Sequence, residues 1–485
     1  RYDGAWPCHG IGGNRRSAGQ RLYHHEAERI RPAGEDEDVG CRITAGQFAA
    51  RATPEEMRIG ISRLQGSQRR TIADHHPGAG IAACKKCFDV LFHGDPADIE
   101  LDRARQVGEF GWRRRIGRET GQIDAAAVPG MDTYRLVFAD GILVPQLSRC
   151  DDLPKGVTVT GLADMLRTDP GRLEGELGEL LGEPTHGFNA MNSAFVCDGA
   201  FIEIGPGVVV DRPIELLFIS ATGGEGRLAL PRNLVLLRAG SQATLHERYV
   251  SASPARCLTS AVSEVLIEDD AKLHLERLQE ESERSFHIGG LFAEVGRNAC
   301  FTTNAVTLGG ALVRNDLVVN LNEEGAEARL NGLYVVGGRQ HVDNHTQVFH
   351  NSPRTTSHER YKGILNGHAR AVFRGHIRVQ PDAQQTDAVQ NNHNLLLSPD
   401  AEVDTMPQLE IYADDVKCAH GASVGQLDKD AIFYLRSRGV AEAEARHMLT
   451  RGFMADVLDE LEPLPLRQYL QHRIDRLMSA AREAT

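Results

Sequence analysis

Beyond Phe195, apolar residues stop recurring at helical spacing and alternate instead for more than two hundred residues. β-rich runs such as Val262–Ile267, Leu317–Leu321 and Gly375–Val379, punctuated by Gly, Asn and Asp, point to the two-residue period of a strand. A small motif, alanine-x-apolar, recurs through this stretch. It reads Ala243-Thr-Leu245, Ala271-Lys-Leu273, Ala299-Cys-Phe301, Ala328-Arg-Leu330, Ala371-Val-Phe373 and Ala401-Glu-Val403, with steps of 28, 28, 29, 43 and 30 residues between the alanines. A period of that size marks stacked supersecondary units. Short strands joined by tight turns predict a parallel β-helix over 195–427, each rung turning a small and an apolar residue inward. A β-sandwich is the alternative, but a sandwich need not repeat. The 43-residue step predicts an inserted loop holding the histidine-rich stretch from His341.

The flanks carry other patterns. Tyr134–Val144 reads as two strands around the Asp140-Gly141 turn, and Gly161–Leu181 as two short helices broken by Pro170-Gly171. Together they predict a partial N-terminal α/β region over 126–194. After Asp428 the helical period returns. Ala441–Leu461 lines up Ala445, Met448, Leu449, Phe453, Val457 and Leu458, and a second stripe runs through Leu466, Leu470, Ile474 and Leu477 after Pro463 and Pro465. Two amphipathic helices over 428–485 would either cap the solenoid or present a docking face.

The first quarter matches none of this. Residues 1–118 hold 18 arginines but only 4 leucines, with neither a helical stripe nor strand alternation. A disordered basic extension, a divergent domain and a stretch read out of frame all fit residues 1–125. Text rich in Arg, Gly, Ala and His without a core pattern fits the third best. Within it, His75, His76, Cys84 and Cys87 form an HH…CxxC set that could hold zinc, although a single CxxC is a weak signal.

Composition narrows the function. The chain has 485 residues, 41% hydrophobic, with a net charge of −13, which argues against a non-specific nucleic-acid binder or a polybasic membrane-surface protein. No window approaches 18 consecutive apolar residues, and Arg1–Trp6 lacks the basic-then-apolar layout of a signal peptide. Nine scattered cysteines suit a reducing cytoplasm better than a disulfide framework. No GxxxxGK[ST] loop occurs, so the chain is not expected to hydrolyse ATP itself.

Two constellations could carry chemistry. Cys418 and His420, two apart on a predicted strand, would project together as a soft-metal or iron–sulfur ligand pair, or as nucleophile and base. The same spacing fits a small buried cysteine and a turn histidine before Gly421. His341, Asp343 and His345 share a strand face and could hold a divalent metal, but a ladder of hydrogen-bonded polar residues is the commoner outcome of such a pattern.

Three stretches, Asn391–Ser398, Ala401–Gly421 (ending Asp-Asp-Val-Lys-Cys-Ala-His-Gly) and Ile432–Gly439, closely resemble the SufD branch of the SufB/SufD family of iron–sulfur cluster assembly subunits. Asp343-Asn-His345, Tyr361-Lys-Gly363 and Ala371-Val-Phe373 fit the same family, and the likeness covers roughly 132–485 but fails over 1–118. The resemblance implies a right-handed parallel β-helix flanked by N-terminal and C-terminal α-helical regions. It implies a non-ATPase scaffold that pairs with SufB through its last rungs and docks the ATPase SufC through its C-terminal helices, with Phe453, Leu458 and Leu449 as candidate contacts. His420 then falls where the cluster forms against SufB, with Cys418 as its neighbour. The cargo is a transient iron–sulfur cluster shared with SufB, with a role in iron acquisition, and the complex as a whole is associated with a reduced flavin. A β-helix carbohydrate lyase or acyltransferase is the alternative, but neither acidic–basic clusters on neighbouring rungs nor a six-residue repeat is visible.

Overall fold

The computed structural model describes residues 128–181, 187–220 and 226–483. The expectations for residues 1–125, including the HH…CxxC set, lie outside them. The described chain is mainly β, a solenoid of about eight turns with helices at its C-terminal end.

Two sheets face each other. The first stacks, in order, Ile142–Leu143, Tyr134–Ala139, Ile214–Ser220, Gln242–Ser251, Lys272–Glu280, Cys300–Thr307, Glu327–Val336, Thr356–Leu365, Asp387–Leu396 and Lys417–Gly425. The second runs from Val157–Gly161 through Ala200–Ile204, Arg232–Leu237, Cys257–Ile267, Phe286–Val295, Leu312–Leu321, His341–His350 and Arg370–Val379 to Glu402–Ile411. Neighbours in the solenoid are parallel and in register: Leu273 lies beside Ala243 on one side and Phe301 on the other. Every second side chain therefore stacks into an inward column, and Leu245, Leu275 and Leu330 are essentially solvent-free in one core. Each such aliphatic side chain contributes about 1.5–3 kcal/mol by leaving water.

The repeat has a phase that the alanine motif only approximates. The chain enters successive strands of the first sheet through a residue with positive φ followed by a small buried one: Gly240-Ser241, Asp270-Ala271, Asn298-Ala299, Gly325-Ala326, Arg354-Thr355 and Gln385-Thr386. Backbone bonds stitch these corners together, as from Asp270 N–H to Arg297 O at 2.8 Å and from Gln385 N–H to Asp415 O at 2.6 Å. The 43-residue step holds no inserted loop. Ala328 lies in the first sheet and Ala371 in the second, so the step is one and a half rungs, and the histidine-rich stretch is the strand His341–His350.

The two strands around Asp140-Gly141 form as expected, antiparallel and with both turn residues at positive φ. Only one of the two helices expected over 161–181 forms, Leu162–Thr168. Gly175 and Gly178, at φ 79° and 94°, break the second, and the freed Gly178 and Leu180 amides donate to the buried Glu264 carboxylate.

Three helices close the described chain: Lys429–Ser437, Glu442–Leu458 and Leu464–Glu483. The last two lie on the outer face of the first sheet, where Met454, Val457, Leu458, Leu466, Leu470 and Ile474 pack against Leu278, Val306, Leu333 and Ile364.

Candidate functional site

Both sheets stop at the C-terminal end of the solenoid. The order ends at Lys417–Gly425 in one and Glu402–Ile411 in the other, so among the described residues no strand pairs with their outer edges. Unpaired edge amides and carbonyls are a template for another chain. The inward columns end here too, on Cys418, His420, Ala422 and Val424 from one sheet and Val403, Thr405, Pro407 and Leu409 from the other.

Cys418 and His420 share a face, as their spacing predicts, but their surroundings differ. Cys418 is half-buried and ends the column Phe301–Ala328–Ser357–Ala388, packed against the main core. Burial pushes its thiol up, and the neighbouring Asp387 charge adds to the shift, so the thiol holds its proton. His420 is exposed at the rim. Its column runs inward through Gln390 and Glu359 to Leu330 and Leu275.

Sequence reading missed this Gln390–Glu359 pair. Both are solvent-free, and Gln390 Nε2 donates to Glu359 Oε2 at 2.6 Å. Burial raises the Glu359 carboxyl from 4.5 to about 7, against the opposing pull of that hydrogen bond. Gly375, opposite, makes the room: a Cβ there would strike the Gln390 amide. The strand alternation contained the signal, since Gln390, Asn392 and Asn394 take inward positions, but only the register identifies inward.

The proposed metal ligands face outward together, yet a cation of the protein already sits among them. Arg314 Nη1 lies 2.7 Å from Asp343 Oδ2, its Nη2 lies 3.2 Å from His345 Nδ1, and His345 Nε2 lies 2.8 Å from Asp343 Oδ1. Arg314 also pairs with the buried Asp316, and burial lowers the half-buried His341 imidazole. Asp343 and His345 therefore share a charged cluster with Arg314, with His341 beside them on the same strand face, and among the described residues no group of three or more His, Cys, Asp or Glu is placed to hold a metal ion. Among the described residues, Cys150 and Cys300 form no disulfide.

The candidate docking residues on Glu442–Leu458 divide. Leu458 is buried against the first sheet, and Phe453 packs beside it with Lys362 Nζ 4.9 Å above its ring. Leu449 is half-buried beside the exposed Met448. Between the last two helices lies a cleft of about 210 Å³ lined by Gly452, Met454, Ala455, Leu458 and Ile474, with Arg451 and Asp475 at its rim. No helix among the described residues is long and apolar enough to cross a membrane.

Comparison with known proteins agrees with this architecture. Residues 218–453 match the family described as SUF system FeS cluster assembly, SufBD core domain, and residues 114–216 match the SufBD protein N-terminal region. The second match carries the likeness closer to the N-terminus than the motifs alone. An iron–sulfur cluster assembly SufBD family protein of Synechocystis is 34% identical over 73% of this chain and 78% of its own length. The iron–sulfur cluster assembly protein SufD of Escherichia coli is 34% identical over 74% of this chain and 83% of its own. The chloroplastic protein ABCI7 of Arabidopsis thaliana is 30% identical over 70% of this chain and 73% of its own. This chain therefore belongs to the SufBD family of the SUF iron–sulfur cluster assembly system, as a homologue of SufD.

Proposed function

We propose that this chain is the SufD-type half of a cluster-assembly scaffold, with the open end of its solenoid seated on the corresponding end of a SufB partner. The observation that carries this reading is the pair of edge strands left without a pairing strand among the described residues, Glu402–Ile411 and Lys417–Gly425, the latter carrying Cys418 and His420. A second β-helix placed there would extend both sheets rung on rung and cover the apolar inward side chains Val403, Leu409 and Val424. The cargo, a nascent iron–sulfur cluster, would then form at the seam. His420 is suited to hold it briefly, because an exposed imidazole offers a ring nitrogen at the rim and exchanges readily. Cys418, half-buried and protonated, is a neighbour that shapes the seam.

The cleft between the last two helices is the proposed seat of the ATPase SufC. It has an apolar floor, a charged rim and support from the solenoid beneath it. The complex would work in the cytoplasm.

His420→Ala tests the cluster reading. The variant should co-purify with SufB and SufC at unchanged ratio and fail to build clusters in cells, read as loss of cluster absorbance. Normal assembly by that complex would overturn the assignment of His420.

A further inference from the structure

Gln390 lies directly beneath His420 in register, and its amide hangs in the lumen of the solenoid opposite Gly375. Its Nε2 is committed to Glu359 at 2.6 Å, whereas its Oε1 is buried and, among the described residues, without a partner. An unsatisfied buried carbonyl costs about 1–3 kcal/mol, so it favours any donor that can reach it. The residue stacked on it, His420, is exposed, free to turn, and carries a ring N–H.

We infer that Gln390 is a positioning residue for His420: its Oε1 accepts the lumen-facing imidazole N–H, and Glu359 fixes the amide orientation that makes this acceptor available. Above about pH 7, where Glu359 is ionised, it can only accept, so it selects the rotamer with NH₂ toward itself and the carbonyl toward the rim. Holding one ring nitrogen as N–H leaves the other as an unprotonated lone pair pointing out of the open end. A histidine that ligates a metal needs that tautomer and that aim. The contact belongs to this chain alone; its purpose rests on the proposed role of His420.

The test reads the tautomer rather than cluster assembly. In the full-length chain labelled with ¹⁵N-histidine at pH 8, long-range ¹H–¹⁵N spectra give the protonation of each ring nitrogen. His420→Ala identifies the resonances to follow. The wild-type His420 should show one dominant tautomer, and Gln390→Leu should return it to the mixture of a free imidazole. Glu359→Gln, near-isosteric and so safe for the fold, should do so partly, because either amide orientation then satisfies residue 359. The same His420 tautomer distribution in wild type and both variants would overturn the inference. So would a wild-type His420 already in the free mixture. These outcomes are independent of the in-cell test above: a His420→Ala complex that still builds clusters removes the proposed role and leaves the contact standing.

Discussion

Glu276, buried on the outer face of the first sheet, accepts the backbone N–H of Glu462 at 2.9 Å. The two residues are 186 positions apart, and their bond fixes the loop between the last two helices to the solenoid. Glu276 also accepts from Asn304 at 3.0 Å and lies 2.8 Å from His274 Nε2, while Asn304 donates onward to Glu460 O at 3.3 Å. Replacing Glu276 with Leu strands the Glu462 N–H in an apolar contact, a loss of about 1–3 kcal/mol. Loosening should be local. Hydrogen exchange should quicken at 459–463 and in the helix Leu464–Glu483, while the inner strands keep their protection. Uniform acceleration would show that the latch does not act separately from the solenoid.

Glu359 gives the solenoid a pH dependence of calculable sign. A glutamate that titrates near 4.5 when unfolded titrates at about 7 here, because burial disfavours its charge. Between those values the folded chain keeps a proton that the unfolded chain has released. Stability therefore falls as pH rises from 4.5 to about 7 and then levels off, by about 3 kcal/mol for one group. Glu359→Gln removes this slope while keeping an acceptor for Gln390. It should match the wild type in denaturant unfolding near pH 5 and exceed it at pH 8. Equal stability at both pH values would mean that Glu359 ionises freely inside the lumen.

Much of this architecture is legible in the sequence because solenoid strands alternate and helix stripes do not. The alternation of Leu317–Leu321 and the stripe Leu466–Leu470–Ile474 follow from side-chain period alone. What the sequence hides is which residues stack. Arg314 lies 29 residues before Asp343, and only the rung geometry brings its guanidinium into the expected metal triad. Gln390 and Glu359 read as ordinary polar positions until the register puts them in the column of Leu275 and Leu330. Leu458 fits an apolar stripe equally well whether that stripe meets a partner or its own sheet, and the structure gives it to the sheet.

That division moves the test of ATPase docking away from Phe453 and Leu458, whose replacement by a charge would also damage the packing of helix on solenoid. Gly452 is the better probe. A Cβ added there meets nothing within 4 Å, yet the residue lines the cleft between the last two helices. Gly452→Leu should raise helix propensity by up to about 1 kcal/mol and place its side chain at the cleft. The variant should keep its melting temperature, or gain slightly, and lose SufC from the purified complex. Retention of SufC at the wild-type ratio would place the docking face elsewhere.

Cys418 separates two chemistries that the Cys-x-His spacing leaves together. Its column neighbour on the preceding rung is Ala388, so Cys418→Ala continues a column that already accepts alanine. The change removes one sulfur from a half-buried site, a cost below about 1 kcal/mol in thermal unfolding. Burial holds the thiol in its protonated form, and a protonated thiol is a poor ligand and a poor nucleophile. Cys418→Ala should therefore build clusters in cells at close to the wild-type level, in contrast to His420→Ala. If the alanine variant fails as completely as the histidine variant while keeping SufB and SufC, the partner must strip the thiol proton on docking. Cys418 would then be a ligand created by the interface.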